Sequence, residues 1–404
     1  MHLFFKYLLR LFWYILRPFI DVRIGLVPYR SIGRIAGNME YYLRGLAISP
    51  SPPRQIHLLV SGKKTVNHQI LRMVSRRVRL IQSDWLWKVL FRLQGEPPKQ
   101  PGRQGAPDHS MWLNLRHAGY LVDWETWESA GPQLSFTEEE HRKGKALLSE
   151  TLGIPPGEEF VCFHTRDKAY TDSPDYKRLI SDPLAYDDFH DADIQTCLLA
   201  AEWLAGKGVW VVRVGHQVEG PAYSENPRIV DYASKYRRHI EDPEFADVYI
   251  QAHCKFCICG TAGIAYYSHI FDVPMTFVHM APLAETGRVD HDLFILKKYR
   301  NKKEGRFMSF REMVALGVDW NRIWYDKQLE LKEMGIEIVD NTEEEIVALV
   351  QEMWARLEGS WKDDPDDAVL LERFRTAFPE GHPMRGFRGY MGAEYMRSNR
   401  VLFE

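Results

Sequence analysis

The chain has 404 residues, 45 % of them apolar, which excludes a globally disordered protein and is long for one ordinary core. A net charge of −3 argues against a general polyanion binder, so nucleic acid is not an expected partner. Five cysteines, few and odd in number, make no disulfide framework and point to a reducing compartment.

The first twenty residues depart from the rest: Met1-His-Leu-Phe-Phe-Lys-Tyr-Leu-Leu-Arg-Leu-Phe-Trp-Tyr-Ile-Leu-Arg-Pro-Phe-Ile20. At helical spacing Lys6, Arg10 and Arg17 fall within ~40° of one another, with His2 and Trp13 on the same stripe. Leu, Phe, Tyr and Ile make up the remaining surface. This is short for a membrane span and carries three cations, so residues 1–20 read as an amphipathic helix lying in a membrane interface. No signal-peptide centre or cleavage site is visible. The alternative is a helix packed on its own protein or on a partner subunit.

Strand-like Val22-Arg-Ile-Gly-Leu-Val27 follows, then a glycine-containing loop and a helical pattern over residues 31–44. Residues 56–60 and 78–81 are further strand candidates, with a loop and a helix between them. These strand–loop–helix units predict a Rossmann-like domain over residues 21–150. Residues 95–107, rich in Pro, Gly and Gln, read as a loop, either an active-site lid or an idle surface segment. Thr137-Glu-Glu-Glu140 starts a capped helix.

A second α/β domain is expected over residues 151–360. Phe160-Val-Cys-Phe-His-Thr-Arg-Asp167 is an apolar run that ends in polar and charged residues, and Val209-Trp-Val-Val-Arg-Val-Gly215 follows after a helical pattern. Such runs read as buried parallel strands, and ligands bind at the carboxyl ends of these sheets. Residues 245–254, 264–271 and 341–357 read as helices, and 255–259 and 275–279 as strands. Residues 361–404 are a C-terminal helix and tail able to pack back on the first domain.

His164, Arg166, Asp167 and Arg213 fall at the predicted strand ends, with Gly215 close by. Cationic side chains there suit a phosphate-bearing ligand. Gly260-Thr-Ala-Gly263 lies between a strand and a helix, where backbone amides and the Thr261 hydroxyl can meet phosphate oxygens and the small Ala262 permits close approach. Arg166 would make bidentate contacts to a diphosphate and offset leaving-group charge. Its alternative is an ion pair with Asp167 or another acid. His164 would bond phosphate or sugar, and as a lone histidine after an apolar run it would otherwise be a satisfied core residue. In the first domain Gly33, Arg34 and Asn38 form a loop that could meet an acceptor or donor phosphates, and Glu40 is the nearest carboxylate to take a proton. Cys254-Lys-Phe-Cys-Ile-Cys259 lacks the second ligand pair that a structural zinc needs. Asp191-Ala-Asp193 reads as helix capping rather than a metal site. No metal and no cofactor are expected.

On these residues the chain resembles the glycosyltransferases encoded in bacterial surface-polysaccharide gene clusters, those of capsule and O-antigen. The resemblance rests on residues 23–40, 160–170, 211–215, 247–256 and 260–263. His164-Thr-Arg166 also looks like the donor-binding motif of fucosyltransferase-like enzymes, in which the arginine binds the donor diphosphate. The family implies a GT-B-like pair of Rossmann-like domains facing across a cleft, with a nucleotide-sugar donor held by the second. It implies metal-independent transfer. The reading is a membrane-associated glycosyltransferase on the inner face of the cytoplasmic membrane, moving a sugar to a glycan or lipid-linked acceptor by direct displacement with inversion. A homo-oligomer is compatible with this. One departure is Arg34, where related sugar enzymes often carry Gly-His. The rival readings are a nucleotide-sugar epimerase and a non-catalytic sugar-nucleotide-binding subunit.

Overall fold

The structure is a computed structural model that describes residues 2–49, 54–94, 110–115, 123–173, 188–284, 289–318 and 330–404. Residues 95–107, read above as a loop, lie outside the described residues. The chain forms two compact units: residues 1–142 with 269–272, and residues 143–268 with 273–404.

The first unit is built on a parallel sheet of β1 (Asp21–Leu26), β2 (Gln55–Ser61), β3 (Arg79–Gln82) and β4 (Trp112–Leu113), in the order β3-β2-β1-β4. Alternation along β1 sends Ile24 and Leu26 to one face, where they pack with Val60, Leu90, Met111 and Trp13. Trp13 belongs to helix His2–Leu16 and is 4 % exposed, with its Nε1 donating to the Val22 carbonyl at 2.9 Å. Trp13 and the partly buried Leu9 therefore face the protein, while Leu8, Arg10, Leu11, Phe12 and Ile15 are exposed. Among the described residues no helix is long and apolar enough to cross a membrane. On the other face of β1, a Cβ at Gly25 would meet Leu115 and Leu59 at 2.4 and 2.6 Å, so the close approach requires glycine.

The second unit holds seven parallel strands: β5 (Phe160–His164), β6 (Trp210–Arg213), β7 (Ile229–Asp231), β8 (Cys257–Cys259), β9 (Met275–Met280), β10 (Leu293–Leu296) and, last in the chain, β14 (Tyr390–Met391). Their order is β14-β10-β9-β8-β5-β6-β7. The chain starts in the middle, adds β6 and β7 on one side, then β8, β9 and β10 on the other. It reverses between β5 and β8, the switch point at which doubly wound sheets bind ligands. β5 and β9 are buried along their whole length, as strands covered on both faces are. A small antiparallel sheet joins β11 (Lys298–Asn301), β12 (Arg306–Phe307) and β13 (Ile336–Val339). The capping boxes of the Thr137 and Thr342 helices are both formed.

The tail, which the sequence left able to pack back on the first domain, belongs to the second unit. β14 pairs in parallel with β10, and Phe403 meets Phe310 edge-on at 5.1 Å, so apolar burial holds the tail in the second unit.

Candidate functional site

The switch point of the second unit is set by the pairing of His164 with Cys259, extended by a hydrogen bond from the Gly260 amide to the His164 carbonyl at 3.2 Å. The chain leaves β5 through Thr165 and Arg166 and leaves β8 through Gly260-Thr-Ala-Gly263. Both predicted segments therefore leave the same edge of the sheet side by side.

His164 is buried. Its Nδ1 donates to the Val214 carbonyl at 2.9 Å, and burial pushes its pKa down to about 4. The ring is neutral at pH 7 with its proton on Nδ1, which leaves Nε2 as an acceptor suited to a ligand hydroxyl rather than a phosphate oxygen. Thr165, also buried, has its hydroxyl enclosed with no hydrogen-bond partner among the described residues. A buried hydroxyl of this kind is one that a ligand oxygen would satisfy.

Arg166 is paired with Asp191, not with Asp167. Its Nε lies 3.2 Å from Asp191 Oδ1, its Nη1 is 3.1 Å from His190 Nδ1, and the two backbones form a parallel bridge. Asp167 accepts from the amides of Ala169 and Glu219, each at 3.0 Å. It caps a short helix and pins a loop, while the counter-charge beside Arg166 is Asp191.

Asp191-Ala-Asp193 divides its work. Asp193 caps the following turn through the Gln195 amide at 2.9 Å, as expected, but Asp191 is the counter-charge of Arg166. The Asp191 carbonyl in turn accepts from Lys297 Nζ at 2.7 Å, and that ammonium also pairs with Asp340 at 2.7 Å. Lys297 is 2 % exposed, and burial pushes its pKa down. The sequence reading passed over it. Its signal was the one that marked β5, an apolar run (residues 293–296) ending in a charge.

Arg213 ends β6, as expected, but its side chain is enclosed. It is 1 % exposed, paired with Asp231 at 3.2 Å across adjacent strands, and its Nη1 donates to the Gly220 carbonyl. A buried charge needs such a partner, and this one holds the residue in a structural role. Gly215 is also explained by packing, because a Cβ there would come within 2.8 Å of Val218 and 3.2 Å of Ala233. The Thr261 hydroxyl donates to the Ala281 carbonyl at 3.3 Å. Ala262 and Gly263 open only a short 3-10 turn, Gly263–Ala265, and a four-residue helix, Tyr266–His269. Their helix-end field is correspondingly weak. Cys257 and Cys259 are free thiols in the core, as are the other three cysteines.

In the first unit, Gly33 precedes a π-turn, Arg34–Asn38, that leads into helix Met39–Ile48. Arg34 is exposed, and Asn38 is buried with its Nδ2 donating to the Leu115 carbonyl at 2.8 Å. Glu40, expected to take a proton, is fully enclosed. It accepts from Arg44 Nε at 2.9 Å and from the amides of Gln133 at 2.7 Å and Leu134 at 3.1 Å. Three donors and no exposed surface make it a structural carboxylate. At the carboxyl edge of this sheet the described cations are Arg30, Arg34, Lys63 and Lys64. The carboxylate there is Asp84, which accepts from the Lys63 amide at 3.0 Å, and the imidazole is His68, which donates to the Lys63 carbonyl at 3.2 Å.

His279 is a second buried histidine, also pushed down to about 4 by burial. Its Nδ1 accepts from the Asn341 amide at 3.1 Å, so Nε2 donates to Thr196 Oγ1 at 3.0 Å. For both histidines the folded state resists protonation that the unfolded chain accepts near pH 6.5. Their stability contribution is therefore full above about pH 6.5 and is lost as pH falls toward 4, before most carboxylates titrate. Denaturant titrations at stepped pH are expected to show several kcal/mol of loss across this window. His279→Gln should flatten that slope, and an unchanged slope would contradict the assignment.

No family model matches the sequence, and no curated protein matches it. Similar solved structures include the glycosyl transferase family 9 protein from Veillonella parvula, at 10 % identity over 83 % of this chain and 98 % of that one, with a TM-score of 0.48. The E. coli ADP-heptose LPS heptosyltransferase II is similar at 11 % identity over 78 % and 98 %, with a TM-score of 0.37. The E. coli heptosyltransferase WaaC with ADP-2-deoxy-2-fluoro heptose is similar at 12 % identity over 68 % and 93 %, with a TM-score of 0.31. Likeness at this level carries no argument about chemistry.

Proposed function

We propose that this chain is a glycosyltransferase that takes its sugar from a nucleotide-sugar donor held on the second unit. The supporting observation is Arg166, a clamped guanidinium at the switch point of a doubly wound sheet, beside the residue 260–263 turn. In this reading the donor diphosphate shares the guanidinium with Asp191, and His164 Nε2 accepts from a hydroxyl of the donor. An acceptor oxygen attacks the anomeric carbon, the carbon–oxygen bond to the diphosphate breaks, and its electron pair leaves with the diphosphate. Direct displacement inverts the anomeric centre. Arg166 offsets the leaving charge. A general base other than the enclosed Glu40 takes the acceptor proton. The acceptor is a glycan or lipid-linked saccharide of a bacterial surface polysaccharide. The protein works on the inner face of the cytoplasmic membrane, held by residues 1–20.

A thermal-shift screen against a panel of nucleotide sugars tests the donor assignment. A matching donor at 100-fold over its Kd should stabilise the fold by roughly 2.7 kcal/mol, whereas free sugars should not. No shift with any nucleotide sugar would sink the reading. With arginine offsetting the charge, EDTA is expected to leave turnover unchanged, and strict metal dependence would overturn that. The enclosure of Glu40 also favours a second reading, a binding subunit that shifts with donor but never consumes it.

A further inference from the structure

Helices His2–Leu16 and Asp84–Gln94 cover the same face of the first sheet. Trp13 and Leu90 enter one cluster with Ile24, Leu26 and Val60, and Leu26 and Val60 are paired neighbours. The sides of these two helices that point away from the sheet therefore belong to one surface. On the first helix that side carries Leu8, Leu11, Phe12 and Ile15, all exposed, with Phe19 and Ile20 exposed just beyond it. On the second it carries Trp85, Lys88 and Arg92, spaced so that they share a stripe. Trp85 is 72 % exposed, and both cations are exposed. Among the described residues neither cation, nor the exposed Arg10, has a carboxylate partner.

We propose that this surface binds an anionic bilayer, with the first helix in the interface and Trp85, Lys88 and Arg92 forming a second contact. The proposal rests on the membrane reading of residues 1–20 and adds a partner chemistry to it. A half-cylinder of exposed Leu, Phe and Ile gains by leaving water. Tryptophan suits the boundary between headgroup and acyl chain, where one end of the ring is wet. These exposed cations would meet lipid phosphates. Those cations also decide against a second copy as the occupant, because an isologous contact would bring Arg10, Lys88 and Arg92 against like charges.

The test is co-sedimentation of the full chain with vesicles of phosphatidylcholine, or of equal parts phosphatidylcholine and phosphatidylglycerol. Truncating the N-terminus would remove the core residue Trp13, so the variants are confined to exposed positions, and melting temperatures verify folding. Binding should favour the anionic vesicles and fall with salt. Lys88→Ala and Arg92→Ala should each weaken it about fivefold, and together about 25-fold. Trp85→Ala should weaken binding to both compositions. Combined Leu11→Ser, Phe12→Ser and Ile15→Ser substitution should abolish both. If that triple variant loses binding while Lys88, Arg92 and Trp85 variants keep it, the helix reading stands and the second contact is overturned. Equal binding to both compositions overturns the anionic preference. If no vesicle is bound and the triple variant disrupts self-association instead, the occupant is a second copy and the proposal fails. The nucleotide-sugar thermal shift is independent of every one of these outcomes, so it separates failure here from failure of the donor assignment.

Discussion

Arg166→Ala is expected to lower glycosyl transfer by about 10²- to 10³-fold, the scale on which one aimed donor acts on developing charge. The nucleotide-sugar thermal shift should shrink with it. Because the guanidinium meets most charge as the diphosphate departs, kcat should fall further than KM rises. Arg166→Lys should recover only part of the rate, since an ammonium keeps the charge but loses the planar fork. Asp191→Asn, which loosens the clamp and leaves the charge, should cost less than Arg166→Ala. Folding should survive, because Arg166 lies at the edge of the sheet rather than inside it. Near-normal turnover of a folded Arg166→Ala protein would remove the donor-phosphate assignment.

The second large effect is on stability. Arg44 is 1 % exposed and donates to Glu40 at 2.9 Å and to Asp272 at 2.7 Å. It also donates to the carbonyls of Trp127 at 2.6 Å, Ala130 at 2.9 Å and Ile270 at 3.3 Å. Its guanidinium carbon lies 4.2 Å from the centre of the Trp127 ring. Through these contacts residues 269–272 are bound into the first unit. Arg44→Ala leaves the enclosed Glu40 charge without its counter-ion, a change worth about 3–5 kcal/mol. Urea titration should show that loss, and one below about 1 kcal/mol would show that the cluster relaxes. Glu40→Gln should cost less, because an amide oxygen can keep the two backbone donors. It should also retain turnover, and its inactivity as a folded protein would restore Glu40 as the proton acceptor.

Much of this was legible in the residues. β5 opens on the uninterrupted apolar run Phe160–Phe163, the pattern that burial on both faces favours. Thr137–Glu140 and Thr342–Glu345 are three apart, the spacing that closes a capping box. Short strands were harder. β4 and β14 have two residues each and take their conformation from the neighbours they pair with, so no local period marks them. Residues 361–404 belong to the second unit, which the sequence could not specify because their phenylalanines say that they need a core without saying which core.

Charge is where residue pattern and tertiary contact parted. Arg166, Arg213, Glu40 and Asp191 are all charged residues beside apolar segments, and along the chain they look alike. Arg213 is neutralised from the next strand by Asp231, Glu40 is enclosed by Arg44 with two amides some ninety residues away, and Arg166 remains at the sheet edge with Asp191. Backbone propensity and hydrophobic period are properties of neighbours in sequence, and they set the elements and the edge at which a ligand would bind. The partner of a charge is a neighbour in space, and in a low-dielectric interior the partner decides whether the charge holds the fold or faces a ligand. Trp13 makes the same point without charge. Its helix was readable from periodicity, but only the packing of β1 and helix Asp84–Gln94 determined which face is covered and which is left exposed.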